Sequence, residues 1–160
     1  MTIKVGEKIP SVTLHTMTKD GPKPISSDDL FRGKKVAVFG LPGAFTPTCS
    51  AKHLPGFVKK AAALKKKGID EIVCLSVNDA FVMGAWGKDQ KVGNKVTMIA
   101  DGSADFTKAA GLELDLTARG LGLRSQRFAM VVDKGVVKSL DIDPAGTFEK
   151  TSAEAMLTRL

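Results

Sequence analysis

The stretch Lys35 to Cys49, KVAVFGLPGAFTPTC, decides how the chain folds. Lys35 to Leu41 is nearly all apolar after its first lysine, which fits a strand buried on both faces. Pro42-Gly43 supplies a turn. Beyond the turn, residues 48 to 67 read as a helix. Phe57, Ala61 and Leu64 stand at i, i+4 and i+7, and Lys59, Lys60, Lys65, Lys66 and Lys67 decorate the rest of its surface. Gly68 stops this helix, and Pro55 inside it is expected to kink it. Cys49 therefore stands in the first turn of a helix that leaves the end of a buried strand. Glu71 to Val77, EIVCLSV, is the next buried strand.

Working outward, residues 18 to 27, TKDGPKPISS, hold turn formers between two strand-like pieces. Ser27 is the expected cap of a short helix over Asp28 to Phe31, whose acidic first turn suits the helix dipole. Asp79 to Gly87 reads as a helix capped by Asn78 or Asp79. Lys95 to Ala100 reads as a strand, and Ser103 as the cap of a helix ending at Gly111. Arg127 to Asp133 and Val136 to Leu140 are strands joined across Lys134-Gly135, a hairpin signal. Thr151 and Glu154 are spaced as a capping box for a last helix. Strands alternating with helices, then a hairpin and a helix, make this an α/β chain.

At 160 residues the chain suits one domain, 1–160, with a full-sized core. Apolar residues are 43% and charged residues 26%, a globular balance that does not call for disorder. No run approaches the roughly 18 apolar residues of a membrane span. Met1 to Pro10 carries Lys4, Glu7 and Lys8 and lacks the apolar core of a secretory signal. Cys49 and Cys74 form no C-x-x-C pair and the chain has only 2 His, so a zinc site is not expected. Two reduced thiols fit a cytoplasmic setting. The net charge of +7 is read as solvated helix faces. Nucleic-acid binding needs a reading element besides basic residues, and none is present. The charge serves solubility or steers an acidic partner.

The position of Cys49 carries the chemistry. Unpaired N–H groups and the positive dipole end at a helix N-terminus favour a thiolate. A free thiol near 8.5 is about 3% ionised at pH 7, and one lowered to roughly 6 is about 90% ionised. Part of that gain is lost because a less basic sulfur is a weaker nucleophile. A fast reaction therefore needs donors aimed at charge developing in the transition state. Thr46, three residues before Cys49, can place a hydroxyl beside the sulfur. An arginine from elsewhere can add a fixed fork of donors.

The spacing Pro42-x-x-x-Thr46-x-x-Cys49, within PGAFTPTCSAKHLPGF, resembles the active-site motif of the peroxiredoxins, and the longer run resembles their type-5, or plant type II, subfamily. The resemblance continues through SVNDAFVMGAW, IADGSADFTKAAGLELDL, GLGLRSQRFAMVV and TSAEAML, nearly the whole chain. It implies a thioredoxin-like fold with a central mixed sheet flanked by helices. It also implies a thiol-dependent peroxidase, acting on hydrogen peroxide and alkyl hydroperoxides with no cofactor. Cys49 is then the peroxidatic nucleophile, passing from thiolate to sulfenic acid. Pro42 shields the sulfur, Thr46 bonds peroxide and thiolate, and Arg127 stabilises both, with Arg124 close enough in sequence to be confused with it. The N–H groups of Gly43 and Cys49 would complete an anion pocket, and Phe45 and Leu116 join Gly43 in contacting substrate. Glutathione with glutaredoxin, or thioredoxin, would return the electrons. A homodimer is implied, with Phe45, Phe81 and Trp86 as candidate contacts.

Two residues admit two readings each. Cys74 lies mid-strand among apolar residues and reads as a core thiol, with its sulfur held away from Cys49. A resolving role after local unfolding is the other reading. Some members of the resembled subfamily have a resolving cysteine near the C-terminus; this chain has Thr151 in that neighbourhood. His53, at i+4 from Cys49, reads as a structural histidine or as a base for the thiol. Two rival functions are a redox sensor without turnover and a non-catalytic scaffold. A scaffold has no use for Thr46 and Arg127 beside a thiol, and a thioredoxin-type reductase would need cysteine where Lys52 stands.

Overall fold

The computed structural model describes residues 1–160. Its centre is strand β3 (Lys35–Leu41), which alternates its side chains between two apolar layers. Ala37, Phe39 and Leu41 enter one layer, and Val36 and Val38 the other. β3 pairs in parallel with β4 (Glu71–Ser76) and antiparallel with β8 (Arg127–Asp133). β4 pairs in parallel with β5 (Thr97–Ala100). β9 (Val136–Asp143) returns from β8 across Lys134-Gly135, both at positive φ. The hairpin β1 (Thr13–Thr18) and β2 (Gly21–Ser26) closes the far side, giving the order β2-β1-β5-β4-β3-β8-β9. The sheet is mixed and helices cover both faces. This is the thioredoxin-like arrangement expected from the sequence.

The segment after Cys49 departs from one long helix. A π turn, Cys49–His53, precedes α2 (Leu54–Lys59), and α3 (Ala61–Lys66) follows a break at Lys60. Pro55 stands just after this π turn. It sits in the first turn of α2, where its missing N–H costs nothing, and the wider turn upstream carries the bond from Leu54 N–H to Cys49 O. Gly68 ends α3 as expected, at φ +101°. Its N–H donates to Lys65 O, and Ile69 N–H donates to Leu64 O.

Several caps fall one or two residues from the expected place. Ser26, not Ser27, caps α1 (Ser27–Phe31), because the Ser27 hydroxyl is buried against Pro10 O and Val12 N–H. α4 (Ala80–Asp89) is capped by Asp79 as expected. The N–H groups of α5 (Asp105–Ala109) are taken by the Asp101 carboxylate rather than by Ser103. α6 (Ala153–Leu157) is capped by Ser152, since Thr151 turns its hydroxyl to Asp143. β2 runs through Pro22 and Pro24, which the sheet tolerates because β2 is its edge. A second, two-stranded sheet was not legible at all. β6 (Glu113–Leu116) and β7 (Gly122–Ser125) pair across the single helical turn Thr117–Arg119.

Candidate active site

β3 ends at Leu41, and the loop Pro42–Thr48 carries the chain up to Cys49. The loop is held from two sides. Ala44 N–H donates to Asn78 Oδ1 at 3.0 Å, and the Ser76 hydroxyl donates to the same oxygen at 2.6 Å. Arg124 donates to Pro42 O at 3.2 Å and to Leu121 O at 2.8 Å. A Cβ on Gly43 would lie 2.5 Å from Arg124 Nη1, so a larger residue there would displace the Arg124 guanidinium. Phe45 is held at φ 63°, an uncommon conformation for a bulky residue. No backbone carbonyl accepts from the N–H of Gly43 or of Cys49. Cys49 itself is fully buried.

Arg127, the first residue of β8, reaches the sulfur. Its Nη2 lies 3.2 Å from Cys49 Sγ, and its Nη1 lies 2.8 Å from His53 Nδ1. A guanidinium only donates, so His53 Nδ1 is the acceptor. The other ring nitrogen, Nε2, then carries the proton and donates to Thr151 O at 2.9 Å. The ring is packed among Phe39, Phe57 and Phe148. Burial first, then the charge of Arg127, lower the His53 pKa to about 3, so the ring is neutral at pH 7. The geometry favours the structural reading of His53 over a base for the thiol. His53 holds one arm of Arg127. Behind it, Asp143 accepts from the N–H groups of Glu149, Lys150 and Thr151 and from the Thr151 hydroxyl. Burial alone would raise this carboxyl, but these donors together hold it below the ordinary carboxylate range.

This arrangement sets a pH dependence of stability. The folded-state pKa of His53 lies below its unfolded value near 6.5, so the unfolded chain binds one more proton between about pH 3 and 6.5. The contribution is full above pH 6.5 and is lost as pH falls, at up to about 1.4 kcal/mol per unit. Asp143 acts in the same direction at lower pH. Denaturant unfolding of the wild type and of His53→Gln between pH 4 and 7 checks this. The slope should be smaller in the variant, and equal slopes would show that His53 titrates normally.

A cavity of about 310 Å³ lies on the side of Arg127; Cys49 itself, fully buried, does not line it. Pro42, Thr46, Leu116 and Arg127 line it together, as do Leu114, Arg119, Leu121 and Asp143. Thr46 Oγ1 donates to Gly43 O at 2.7 Å and not to the sulfur. Phe45 does not line the cavity; its ring is exposed, with its centroid 6.4 Å from that of Trp86. Trp86 is fully buried and donates to Ser50 Oγ, so it offers no contact to a second copy. Cys74 is also fully buried, in the same apolar layer as Cys49. Burial, and secondly Cys49, push its thiol well above the usual range. The larger cavity of about 680 Å³, beside Thr16, Lys88 and Asn94, is lined by neither cysteine. Sequence reasoning missed Asp143 and the bracing by Asn78 and Arg124. Only the carboxamide at Asn78, read as a helix cap, gave any signal.

Comparison with known proteins agrees with this geometry. The Redoxin family model matches residues 4–157. Peroxiredoxin-2E, chloroplastic, of Arabidopsis thaliana is 49% identical, over 99% of this chain and 70% of its own length. Peroxiredoxin-2D of the same plant is 48% identical, over 99% and 98% of the two chains. The crystal structure of reduced Prx3 in complex with hydrogen peroxide from Vibrio vulnificus superimposes with a TM-score of 0.95. It is 49% identical and covers 99% of each chain. A buried cysteine at a strand-to-helix corner, with a guanidinium on its sulfur, is what peroxide reduction by a thiol requires, and by descent as well as fold this chain belongs to the peroxiredoxins, thiol-dependent peroxidases that act through a peroxidatic cysteine.

Proposed function

We propose that this peroxidase is of the type-5, or plant type II, kind, with Cys49 as its nucleophile and glutathione as its recycling thiol. The single observation that carries the site assignment is the Arg127 fork, with one nitrogen on Cys49 Sγ and the other on His53. The subfamily reading is supported by the two plant relatives and by the run PGAFTPTCSAKHLPGF.

In the first step the Cys49 thiolate attacks a peroxide oxygen. A sulfur–oxygen bond forms, the O–O bond breaks, and the departing oxygen leaves with the bond pair and takes a proton as water or alcohol. Arg127 stabilises the negative charge as it passes from sulfur to the leaving oxygen. With its own proton committed to Gly43 O, the Thr46 hydroxyl presents lone pairs to the cavity and accepts from the peroxide O–H. The N–H groups of Gly43 and Cys49, from which no backbone carbonyl accepts, are left to complete an anion pocket for the same negative charge. Pro42 forms part of the wall that keeps water from the sulfur.

The sulfenic acid then needs a thiol. Cys74 is a poor one, being buried, held protonated and fixed in β4 by pairing to β3 and β5. An external thiol avoids unfolding either element. We therefore favour a one-cysteine cycle, in which glutathione forms a mixed disulfide on Cys49 and a glutaredoxin removes it. Two free thiols support a reducing, cytoplasmic setting. Exposed Phe45 and Phe81 support a homodimer through the face near the loop. Mass spectrometry after one equivalent of peroxide tests the cycle. With glutathione, Cys49 should gain about 305 Da, one glutathione less two hydrogens. Complete Cys49–Cys74 disulfide with no adduct would overturn it.

A further inference from the structure

The cavity lined by Arg127, whose other side reaches Cys49, is bounded by a second guanidinium, that of Arg119, at the end of the helical turn Thr117–Arg119. The two arginines differ in what they already hold. Arg127 has one terminal nitrogen on Cys49 and the other on His53. Arg119 is exposed and belongs to none of the four ion pairs of the chain. The closest acid in its own segment, Asp115, is occupied by the N–H and hydroxyl of Thr117. The lining is otherwise largely aliphatic, including Leu114, Leu116, Leu121 and Pro42. One other charge lines the cavity, the carboxylate of Asp143, which would repel a second carboxylate placed beside it.

From this we infer that Arg119 is a specificity-determining residue that receives the carboxylate of organic hydroperoxides whose apolar body separates that carboxylate from the peroxide group. The inference rests on the peroxidase reading of Cys49 and names a substrate class for it. The peroxide end enters toward Cys49 and Arg127, the apolar body lies on the leucines, and the carboxylate stays at Arg119, away from Asp143. A cavity of about 310 Å³ is at the small end of small-molecule sites and suits a single ring or a short chain. Chemistry is unchanged: the sulfur–oxygen bond forms, the O–O bond breaks, and the carboxylate-bearing alkoxide takes a proton and leaves as the alcohol.

Three matched probes test this: cumene hydroperoxide, its para-carboxylate, and the methyl ester of that carboxylate. Stopped-flow oxidation of Cys49 gives a rate constant for each, and the readout is the acid-to-ester ratio. The wild type should favour the acid by about fivefold, the upper end for a partly exposed ion pair. Raising the salt from about 0.05 to 0.5 M should shrink the ratio. Arg119→Leu should bring it near one, and Arg119→Lys should retain most of it. A wild-type ratio of one overturns the inference. So does a ratio unchanged in Arg119→Leu, or an effect confined to the later glutathione step. If none of the peroxides oxidises Cys49, the peroxidase reading itself fails, which the neutral cumene hydroperoxide reveals separately.

Discussion

Cys49→Ser should reduce peroxide consumption to background, a loss of at least about 10³-fold, while Cys74→Ser should keep most of the activity. The two sulfurs lie in one apolar layer, so burial does not distinguish them. Their partners do. Cys49 has a guanidinium nitrogen 3.2 Å away and forms part of the loop-to-helix corner. Cys74 is surrounded by strand pairing and has no donor directed at it, and burial keeps it protonated. Serine at position 49 preserves shape but ionises far too weakly to attack peroxide at neutral pH. Serine at 74 places a hydroxyl in an apolar layer at a cost of about 1–3 kcal/mol, so Cys74→Ala is the companion that separates folding from chemistry. Steady-state peroxide consumption with a thiol donor measures both. Equal loss in Cys49→Ser and Cys74→Ala would make Cys74 a participant in turnover.

What was legible in the sequence follows from where local chemistry dictates structure. β3 and β4 are apolar on both faces because the sheet is covered on both, and such runs can be read without tertiary knowledge. The Lys134-Gly135 hairpin and the Gly68 stop depend on backbone conformations that few residues adopt, so they too were visible. The pairing of β6 with β7 was not, because both strands are short and neither is fully buried. Their pairing depends on the docking of the whole segment against the active-site loop through Arg124. At the site, Pro42, Thr46 and Cys49 were legible through a resembled family motif and Arg127 through the resembled run QRFAMVV; the structure brings Arg127 to Cys49, and Pro42 and Thr46 to the cavity that Arg127 lines. His53 was visible only as a histidine one helical turn from the nucleophile. Its role depends on Thr151, 98 positions away, which fixes the tautomer, and on Arg127, 74 positions away, which uses the lone pair. No periodicity encodes a relation across such distances. The π turn was hidden for a related reason. Pro55 announces a disturbance, but whether it kinks a helix or begins one depends on the bond from Leu54 N–H to Cys49 O.

Arg127→Lys should slow Cys49 oxidation by about 10²-fold or more, although the charge is retained. Arginine reaches two acceptors with two rigidly connected nitrogens, Nη2 toward Cys49 and Nη1 toward His53. A lysine has a single nitrogen, so satisfying His53 Nδ1 pulls it from the sulfur, and satisfying the sulfur leaves a buried ring nitrogen without a donor. His53→Leu should act on the same step more weakly, by about tenfold, because Arg127 keeps its charge and its fork but loses the contact that fixes one arm. In His53→Gln the side-chain amide can accept from Arg127 and donate to Thr151 O, so part of the rate should return. That recovery distinguishes positioning of Arg127 from mere filling of the space among Phe39, Phe57 and Phe148. The indole of Trp86, buried and bonded to Ser50 next to the nucleophile, provides the fluorescence signal for stopped-flow measurement. An Arg127→Lys rate constant equal to wild type would move the activating role to another donor. A His53→Gln rate no better than His53→Leu would reduce His53 to packing. If both variants behave as expected, the carbonyl of Thr151 is the far end of the hydrogen-bond chain that aims Arg127 at the sulfur.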